Sequence, residues 1–241
     1  MTARLAATTI PSSREISLTE GYEIGAEVEK ERSAAGWRRV GWKLGFTKMA
    51  LWPAQGVDAP FWAPVYAETM ITGLVSADGL VQPKIEPEIV VGLKSDLAPG
   101  SGLLDIASAI EWAAAGLEVV ECHFEAWSMS AAEAIADAGL HAGLAIGPRT
   151  EINAEEAMAL ARCECEFLRD GTLTDRGLAT TALGGPVPAL VWLLRGQREG
   201  LRAGEVVTTG SMIGATPVSM GQRWTNRFHG SVSSSVEVTF T

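Results

Sequence analysis

The spacing of apolar and polar residues divides the start of the chain into a helix followed by a strand. Ser17-Leu18-Thr19-Glu20 has the capping-box pattern that opens a helix. We expect this helix to run through GYEIGAEVEKERSAAG and to stop at Gly36. The next segment, RRVGWKLGF, is typical of a strand. Residues 47–66 are rich in proline, glycine and large aromatic side chains, which predicts a loop or short helix acting as a lid.

After Tyr66 the pattern changes to strand-like segments separated by turns, with helices between some of them. The predicted strands are 87–93, 116–122, 141–147, 162–169, 204–209, 222–228 and 232–240, and the predicted helices are 105–115, 130–137, 153–161 and 188–198. Their irregular order favours an α+β, mostly β fold over a doubly wound sheet. We place a boundary near residue 65, between an N-terminal helical and lid segment (1–65) and a sheet-based catalytic domain (66–241).

Composition and charge narrow the classes of function. The chain has 241 residues, 47% of them hydrophobic, and a net charge of −10. So acidic a chain is a poor candidate for nucleic-acid binding, which needs clustered lysine and arginine. No apolar run approaches the roughly 20 residues of a membrane span, and the N-terminus lacks the apolar core of a signal peptide. An odd number of cysteines, Cys122, Cys163 and Cys165, indicates reduced thiols and hence a cytoplasmic protein.

Two glutamates in the segment QPKIEPEIVVGL are the first candidates for chemistry. Residues two apart on a strand point the same way, so Lys84, Glu86 and Glu88 share one face. A third carboxylate, Glu118, lies in an apolar, strand-like segment just after a helix that we expect to end near Gly116. Three carboxylates without a cysteine or histidine cluster suit a hard divalent cation such as Mg²⁺ or Mn²⁺. On spacing alone, a solvated edge strand with Lys84 as ion-pair partner is the commoner arrangement.

Lys43 is the second candidate, because it lies within GWKLGF among apolar side chains. A lysine in apolar surroundings has its charged form disfavoured and can exchange protons near neutral pH. The alternative is a lysine at a strand edge that extends its amine into solvent. The three histidines are scattered, and the Gly-rich TTGSMIGA at 208–215 does not match a P-loop.

Seven segments, taken in order, resemble the fumarylacetoacetate hydrolase superfamily. Within it they are most similar to the branch of 2-oxopent-4-enoate (2-hydroxypentadienoate) hydratases and 4-oxalocrotonate decarboxylases. The segments are GWKLGFT at 41–47, GVDAP at 56–60, QPKIEPEI at 82–89, IEWAAAGLEVVE at 110–121, IADAGLHAGLAIG at 135–147, ALGGPVPALVWLL at 182–194 and GEVVTTG at 204–210. The resemblance implies a mixed β-sheet roll with a small helical N-terminal part.

The resemblance also assigns roles to individual residues. It implies that Glu86, Glu88 and Glu118 ligate Mg²⁺ or Mn²⁺ and that Lys43 is catalytic. The residues that it implies for substrate binding are Lys84, Thr209 and Asp137. The substrate would be a small 2-oxo or 2-hydroxydienoate acid that chelates the metal through its carboxylate and C2 oxygen.

The same resemblance leaves the reaction open, because the superfamily fold hosts several. Our first hypothesis is a metal-dependent hydratase of aromatic catabolism; the alternatives are a 4-oxalocrotonate-type decarboxylase, an acylpyruvate C–C hydrolase, or a partner subunit of a hydratase–decarboxylase complex. Hydratases of this branch carry an acid after GVD, where this chain has Pro60-Phe61-Trp62-Ala63. The His–Glu pair of the hydrolases is absent, because no histidine precedes residue 123. A diacid substrate would need one more cation, from Lys48 or Arg223. The eight tryptophans and the apolar lid are compatible with a homo-oligomer.

Overall fold

The computed structural model describes residues 8–12 and 16–241 and contains two β-sheets flanked by short helices. The helices are α1 (Leu18–Ala34), α2 (Trp52–Gln55), α3 (Leu103–Ala109), α4 (Ala131–Ala136), α5 (Ala154–Ala159) and α6 (Pro186–Gly196). The strands are β1 (Arg39–Gly45), β2 (Phe61–Tyr66), β3 (Met70–Ile71), β4 (Leu74–Val75), β5 (Lys84–Leu93), β6 (Ile110–Val120), β7 (His141–Ile146), β8 (Thr150–Glu151), β9 (Glu164–Arg169), β10 (Thr172–Leu178), β11 (Val206–Thr208), β12 (Thr216–Pro217), β13 (Arg223–His229) and β14 (Ser234–Phe240). This mixture confirms the α+β, mostly β prediction.

The larger sheet has nine strands, in the order β2-β1-β11-β5-β6-β7-β3, with β12 beside β5 and β8 beside β6. The smaller sheet has five strands, in the order β10-β9-β13-β14-β4. Strands β1 and β2 belong to the same sheet as β5, so residues on both sides of position 65 share this sheet. The boundary near residue 65 stays a prediction. None of the helices in the described ranges has the length and apolar character needed to span a bilayer.

The core lies between the two sheets. The central strand β5 has one face towards this core and one face away from it. Ile85 and Ile89 point into this core, where they meet Phe167, Trp224 and Phe228 from the smaller sheet. Each such buried side chain contributes roughly 1.5–3 kcal/mol through the hydrophobic effect. Because the period of a strand is two, Glu86 and Glu88 must then point to the opposite face. Burial of the isoleucines thus positions the glutamates.

Helix α1 begins as the capping box predicts. The Ser17 hydroxyl accepts a hydrogen bond from the amide of Glu20, and the Glu20 carboxylate accepts one from the amide of Ser17. Ser130 and Glu133 form the same arrangement at the start of α4. Helix α1 packs on α4, which in turn covers a second apolar cluster that includes Phe61 and Leu140.

Two predicted elements are wrong in their extent, and in both cases strand pairing explains the difference. The segment 47–66 is not all loop and short helix, since Phe61–Tyr66 pairs antiparallel with β1 as an edge strand that tolerates Pro64. The helix predicted over 105–115 ends at Ala109, and the alanines that follow extend β6 beside β5. Pairing with β5 overrides the helix propensity of alanine.

Asn226 joins the two sheets at the base of the glutamate-bearing strands. Its fully buried side-chain amide donates to Glu88 O at 2.9 Å and to Gly116 O at 2.8 Å. Asn226→Leu should therefore destabilise the protein by about 2–4 kcal/mol, because two buried carbonyls lose a donor. Urea unfolding measures this, with the neighbouring Thr225→Val as control, since among the described residues that hydroxyl bonds only the exposed carboxylate of Glu237. An Asn226→Leu protein as stable as wild type would show that these two bonds contribute nothing.

Candidate metal centre and active site

Three carboxylates converge on the face of the larger sheet that points away from the inter-sheet core. Glu86 on β5 lies directly opposite Glu118 on the antiparallel β6, and Glu88 lies opposite Gly116. One carboxylate oxygen from each glutamate lies within 4.8 Å of the others. The convergence predicted for Glu86, Glu88 and Glu118 is therefore present, and a solvated edge strand is excluded because β5 is central in its sheet.

The three glutamates lie so close together that their negative charges repel one another. Glu88 and Glu118 are only 1% and 0% exposed, and Glu86 is partly exposed towards a cavity. Burial raises the pKa of Glu86 to about 7; the nearby Lys43 opposes this shift and Glu118 adds to it. Burial and the two neighbouring carboxylates also raise the pKa of Glu88. Buried carboxylates in such a group are stable as anions only when a cation compensates them.

Glu88 is oriented by the chain that follows β11. Its Oε2 accepts hydrogen bonds from the Thr208 hydroxyl and, at 2.8 Å, from the amide of Gly210. Gly210 has φ of +103°, and a Cβ there would stand 2.4 Å from the Thr47 side chain, so only glycine fits. Thr209, which the sequence suggested for substrate binding, turns away and donates to Ile89 O at 2.9 Å. Sequence reasoning missed Thr208, the residue next to Thr209, whose side chain points to the opposite side of the strand.

Glu118 is oriented by a histidine that the sequence did not single out for this site. His141 Nδ1 lies 2.8 Å from Glu118 Oε1, and its Nε2 lies 2.9 Å from Thr69 Oγ1. Burial lowers the pKa of His141, with Glu118 opposing, so the neutral ring donates Nδ1–H to the carboxylate. Such a contact fixes which oxygen of Glu118 faces the other glutamates. Strand β7 supplies His141, and its pairing with β6 brings the residue here.

Lys43 on β1 reaches the same cluster and is 3% exposed. Its Nζ lies 3.3 Å from Glu118 Oε2, donates to Gly139 O at 3.0 Å, and lies 5.4 Å from the ring centroid of Phe61. The sequence predicted that apolar surroundings would disfavour the charged form of Lys43, and this prediction is wrong. Burial does lower the pKa of Lys43, but Glu118, Glu86 and Glu88 outweigh it and raise the pKa overall. The amine is therefore a protonated donor.

Two buried oxygens indicate what the cluster is built to hold. Glu88 Oε1 accepts no hydrogen bond from the described residues, and Glu118 Oε2 has only the ion pair with the Lys43 amine at 3.3 Å. An unpaired buried carboxylate oxygen is costly, and an oxygen-only donor set of three carboxylates matches the preference of hard divalent cations. The residues therefore fit a Mg²⁺ or Mn²⁺ site.

A cavity of about 330 Å³ opens beside the cluster. Its charged lining residues are Lys43, Lys48, Lys84, Glu86 and Glu88, and its apolar ones include Phe46, Leu51, Phe61, Trp127 and Met129. Lys84, predicted for substrate binding, thus lies in the same cavity as the glutamates.

Two further candidates lie elsewhere. Asp137 binds the amide and, at 2.8 Å, the ring Nδ1 of His123, and it lines a different cavity. Arg223 lies on β13 of the smaller sheet with its guanidinium 3.6 Å from the Glu237 carboxylate.

The raised pKa values predict that cation binding depends on pH. Below about pH 7, Glu86 is protonated in the metal-free protein, so a cation must displace a proton to bind. We expect the apparent Mg²⁺ affinity to fall by about tenfold or more per pH unit below 7. Calorimetric titration with MgCl₂ from pH 5.5 to 8.5 measures this.

Proton release provides a control for that experiment. Titrations at pH 6.5 in buffers with different ionisation enthalpies should report net proton release on binding. A Mg²⁺ affinity that stays constant from pH 6 to 8, with no proton released, would contradict a raised carboxylate pKa at this site.

The chain is similar to known proteins over most of its length. No family model matches the chain. It is 33% identical over 234 residues to 2-keto-4-pentenoate hydratase of Burkholderia vietnamiensis, covering 92% of this chain and 86% of that protein. It is 32% identical over 221 residues to 2-keto-4-pentenoate hydratase of Paraburkholderia phymatum, covering 88% and 82%.

A solved structure extends the similarity to the fold. The 4-oxalocrotonate decarboxylase from Pseudomonas putida G7, complexed with magnesium and adipate, superposes with a TM-score of 0.91 at 26% identity. The match covers 99% of this chain and 93% of that one. With its convergent glutamates and a fold like that of fumarylacetoacetate hydrolases, the chain belongs to the family of 2-keto-4-pentenoate hydratases, which are enzymes, and it is similar to 4-oxalocrotonate decarboxylase.

Proposed function

We propose that this protein is a divalent-metal-dependent hydratase. It adds water to a 2-hydroxy-2,4-dienoate, the enol of a 2-oxo-4-enoate, and yields a 4-hydroxy-2-oxo acid. The observation that carries the proposal is the convergence of Glu86, Glu88 and Glu118 within 4.8 Å, with the Lys43 amine 3.3 Å from Glu118. The hydratase relatives, at 32% and 33% identity, support the same reaction class.

Glu86, Glu88 and Glu118 would hold Mg²⁺ or Mn²⁺. When bound, such an ion supplies Lewis acidity that polarises the C2 oxygen of a 2-oxo acid. His141 keeps one Glu118 oxygen occupied by its Nδ1–H, and Thr208 with Gly210 does the same for one oxygen of Glu88. These contacts leave the other oxygen of each carboxylate for the cation.

Lys43 would handle protons. The negative charges of the surrounding glutamates keep the Lys43 amine protonated by raising its pKa. The hydrogen bond from Nζ to Gly139 O fixes the direction of the amine. Hydration moves a proton from the C2 hydroxyl to the far carbon of the diene, then adds water at C4 and a proton at C3. A protonated amine beside the cavity can donate to such a carbon and recover the proton from the enol.

Phe61 supports decarboxylation as the second candidate. Its buried ring lines the cavity near Lys43, at the position after Pro60 where hydratases of the branch carry an acid. Water addition is helped by a second acid or base, whereas loss of CO₂ from a vinylogous β-keto acid needs only an electron sink and one proton donor. The structural similarity to a 4-oxalocrotonate decarboxylase is consistent with this alternative.

One assay separates the candidates. The protein, loaded with Mg²⁺, is incubated in turn with a 2-hydroxy-2,4-dienoate, 4-oxalocrotonate and an acylpyruvate, while ultraviolet absorbance and CO₂ are followed. We expect the dienoate absorbance to decay without CO₂ release. Release of CO₂ from 4-oxalocrotonate alone would assign the decarboxylase, and cleavage of the acylpyruvate alone would assign the hydrolase.

Assembly and location complete the proposal. We expect a homo-oligomer in the cytoplasm, with a complex with a related enzyme of the same pathway as an alternative. The eight tryptophans and the exposed apolar side chains Met49 and Leu51 near the cavity support self-association. Light scattering of the purified protein measures the assembly.

A further inference from the structure

A strained turn holds a backbone carbonyl against the Lys43 amine. The turn comprises residues 137–140 and joins α4 to β7. Ala138, Gly139 and Leu140 have φ of +52°, +66° and +62°, in the left-handed region that residues with a side chain rarely adopt. Backbone of this kind persists only where the surrounding structure holds it, and it is concentrated at functional sites. The turn must therefore be held by contacts with the rest of the chain.

The turn presents Gly139 O to the buried amine. Lys43 Nζ donates to this carbonyl at 3.0 Å and lies 3.3 Å from Glu118 Oε2. The ion pair keeps the amine beside Glu118, and the hydrogen bond sets the direction of the remaining N–H groups, which a molecule in the cavity can meet because Lys43 lines it. The fit is close, since a Cβ on Gly139 would stand 2.4 Å from Ala63 Cβ and 3.4 Å from Lys43 Cδ. A shift of this turn would therefore turn the amine.

Asp137 and His123 hold the start of the turn. Asp137 Oδ2 accepts a hydrogen bond from the amide of His123 at 3.1 Å, and Asp137 Oδ1 lies 2.8 Å from the His123 ring Nδ1. At the end of the turn, the amide of Glu121 donates to Leu140 O at 2.9 Å. His123 is buried and the Asp137 side chain is only 18% exposed, so their hydrogen bonds are largely shielded from water. These contacts tie both ends of the turn to residues 121–123.

The segment 121–123 follows directly on β6, the strand that carries Glu118. The clamp formed by Asp137 and His123 therefore holds Gly139 O in a fixed relation to Glu118. One support thus carries both partners of the Lys43 amine. Asp137 and His123 line a separate cavity from the one beside the glutamates, so a role for them in the reaction must be indirect.

We propose that Asp137 and His123 are positioning residues for the reaction. By clamping the 137–140 turn, they hold Gly139 O against the Lys43 amine and so direct that amine into the cavity. The inference rests on the proposed function, since it takes Lys43 to be the proton donor in hydration. A reacting group that is displaced by about 1 Å can lose about a hundredfold in rate. The glutamates are oriented by other contacts, so the clamp should matter for the rate and not for binding of the cation.

A variant that loses the clamp is compared with one that keeps it. Asp137→Leu removes both hydrogen bonds at similar volume, whereas in Asp137→Asn the amide can still accept from the His123 backbone and donate to Nδ1 of the other ring tautomer. We expect kcat with a 2-hydroxydienoate to fall by about 10–100-fold in Asp137→Leu and to stay within about threefold of the wild type in Asp137→Asn. Mg²⁺ affinity from calorimetry should stay within about threefold in both variants. Asp78→Leu, the same change at an exposed position, should match the wild type in both measurements.

A double-mutant cycle shows whether the effect passes through Lys43. In the Lys43→Met background, Asp137→Leu should lower kcat by less than about twofold further, because the amine that the clamp positions is gone. A purely structural defect would lower the rate by the same factor in both backgrounds. The ¹⁵N NMR signal of the Lys43 ammonium, assigned by its loss in Lys43→Met, needs no turnover. In the metal-free protein it should shift or be lost to solvent exchange in Asp137→Leu and be retained in Asp137→Asn.

Several results would overturn the clamp. They are a wild-type kcat in Asp137→Leu, equal losses in the two backgrounds, equal damage by Asp137→Leu and Asp137→Asn, and an unchanged Lys43 signal in Asp137→Leu. If Asp137→Leu does not fold, His123→Phe decides, because it removes the ring nitrogen at similar volume. It should lower kcat severalfold with the same dependence on Lys43, and a wild-type rate in His123→Phe would count against the clamp.

The clamp and the proposed reaction can fail separately. A Lys43 signal that depends on Asp137, in a protein that converts no dienoate, would leave the clamp standing and refute the hydratase. Hydration of dienoates with a rate and a Lys43 signal that Asp137→Leu leaves unchanged would refute the clamp alone.

Discussion

Glu86→Gln should abolish metal-dependent turnover and weaken Mg²⁺ binding by about a hundredfold or more. Loss of a residue that only supports a ligand costs about 10–100-fold in metal affinity, so loss of a carboxylate ligand itself should cost at least as much. The metal-free variant should be no less stable than the wild type. Burial and repulsion from Glu118 already disfavour the Glu86 anion, and the neutral amide removes that repulsion. Calorimetric Mg²⁺ titration and thermal unfolding with and without Mg²⁺ measure both effects.

A glutamate elsewhere in the same sheet serves as the control. Glu111 lies on β6 with an exposed side chain, so Glu111→Gln changes the same charge without touching the cluster. It should retain wild-type turnover and the wild-type gain in melting temperature on adding Mg²⁺. Full activity of Glu86→Gln without added metal would contradict the metal centre, and lower stability of its metal-free form would contradict the repulsion between Glu86 and Glu118.

The sequence was sufficient to predict that Glu86 and Glu88 lie together, because strand period carries that information. Glu86 and Glu88 had to share a face whatever the register of β5, and the flanking Ile85 and Ile89 determine which face meets the inter-sheet core. That Glu118 lies opposite Glu86 depends on pairing between β5 and β6, which a local pattern does not encode. The family resemblance supplied this contact instead.

The residues that orient the ligands were harder to predict, because they arrive from distant segments. His141 reaches Glu118 only through the pairing of β7 with β6, and its own sequence neighbours gave no sign of a carboxylate partner. Thr208 and Gly210 were missed in favour of Thr209, because the direction of each side chain in β11 depends on where that short strand begins. Asp137 was placed by resemblance alone, and the structure pairs it with His123 instead.

Strand pairing also explains the errors in the fold. The alanine-rich start of β6 has the local composition of a helix, and contacts with β5, β8 and Ser234 make it a strand. Strand β10 was not predicted, because its side chains are nearly all exposed and show no alternation of apolar and polar residues. Strands with a buried apolar run, such as β5 and β11, were found, whereas the exposed β10 was not.

Lys43→Met should lower kcat by about 10²–10⁴-fold while changing Mg²⁺ affinity much less. The amine is the protonated group 3.3 Å from Glu118 Oε2, and a positioned proton donor contributes a factor of that size. Removing its positive charge also removes a repulsion towards the incoming cation, so Mg²⁺ binding should stay within about tenfold of the wild type. Stopped-flow absorbance with the dienoate gives kcat, and calorimetry gives the metal affinity.

Two comparisons separate a proton-transfer role of Lys43 from a structural one. Lys94→Met, at an exposed position, should match the wild type in both measurements. A structural role would change the melting temperature and the metal affinity together with the rate, because Lys43 also donates to Gly139 O in the buried interior. Equal losses in kcat and in Mg²⁺ affinity would therefore assign Lys43 to positioning Glu118. A fall in kcat alone, with the melting temperature and the Mg²⁺ affinity unchanged, would assign it to proton transfer.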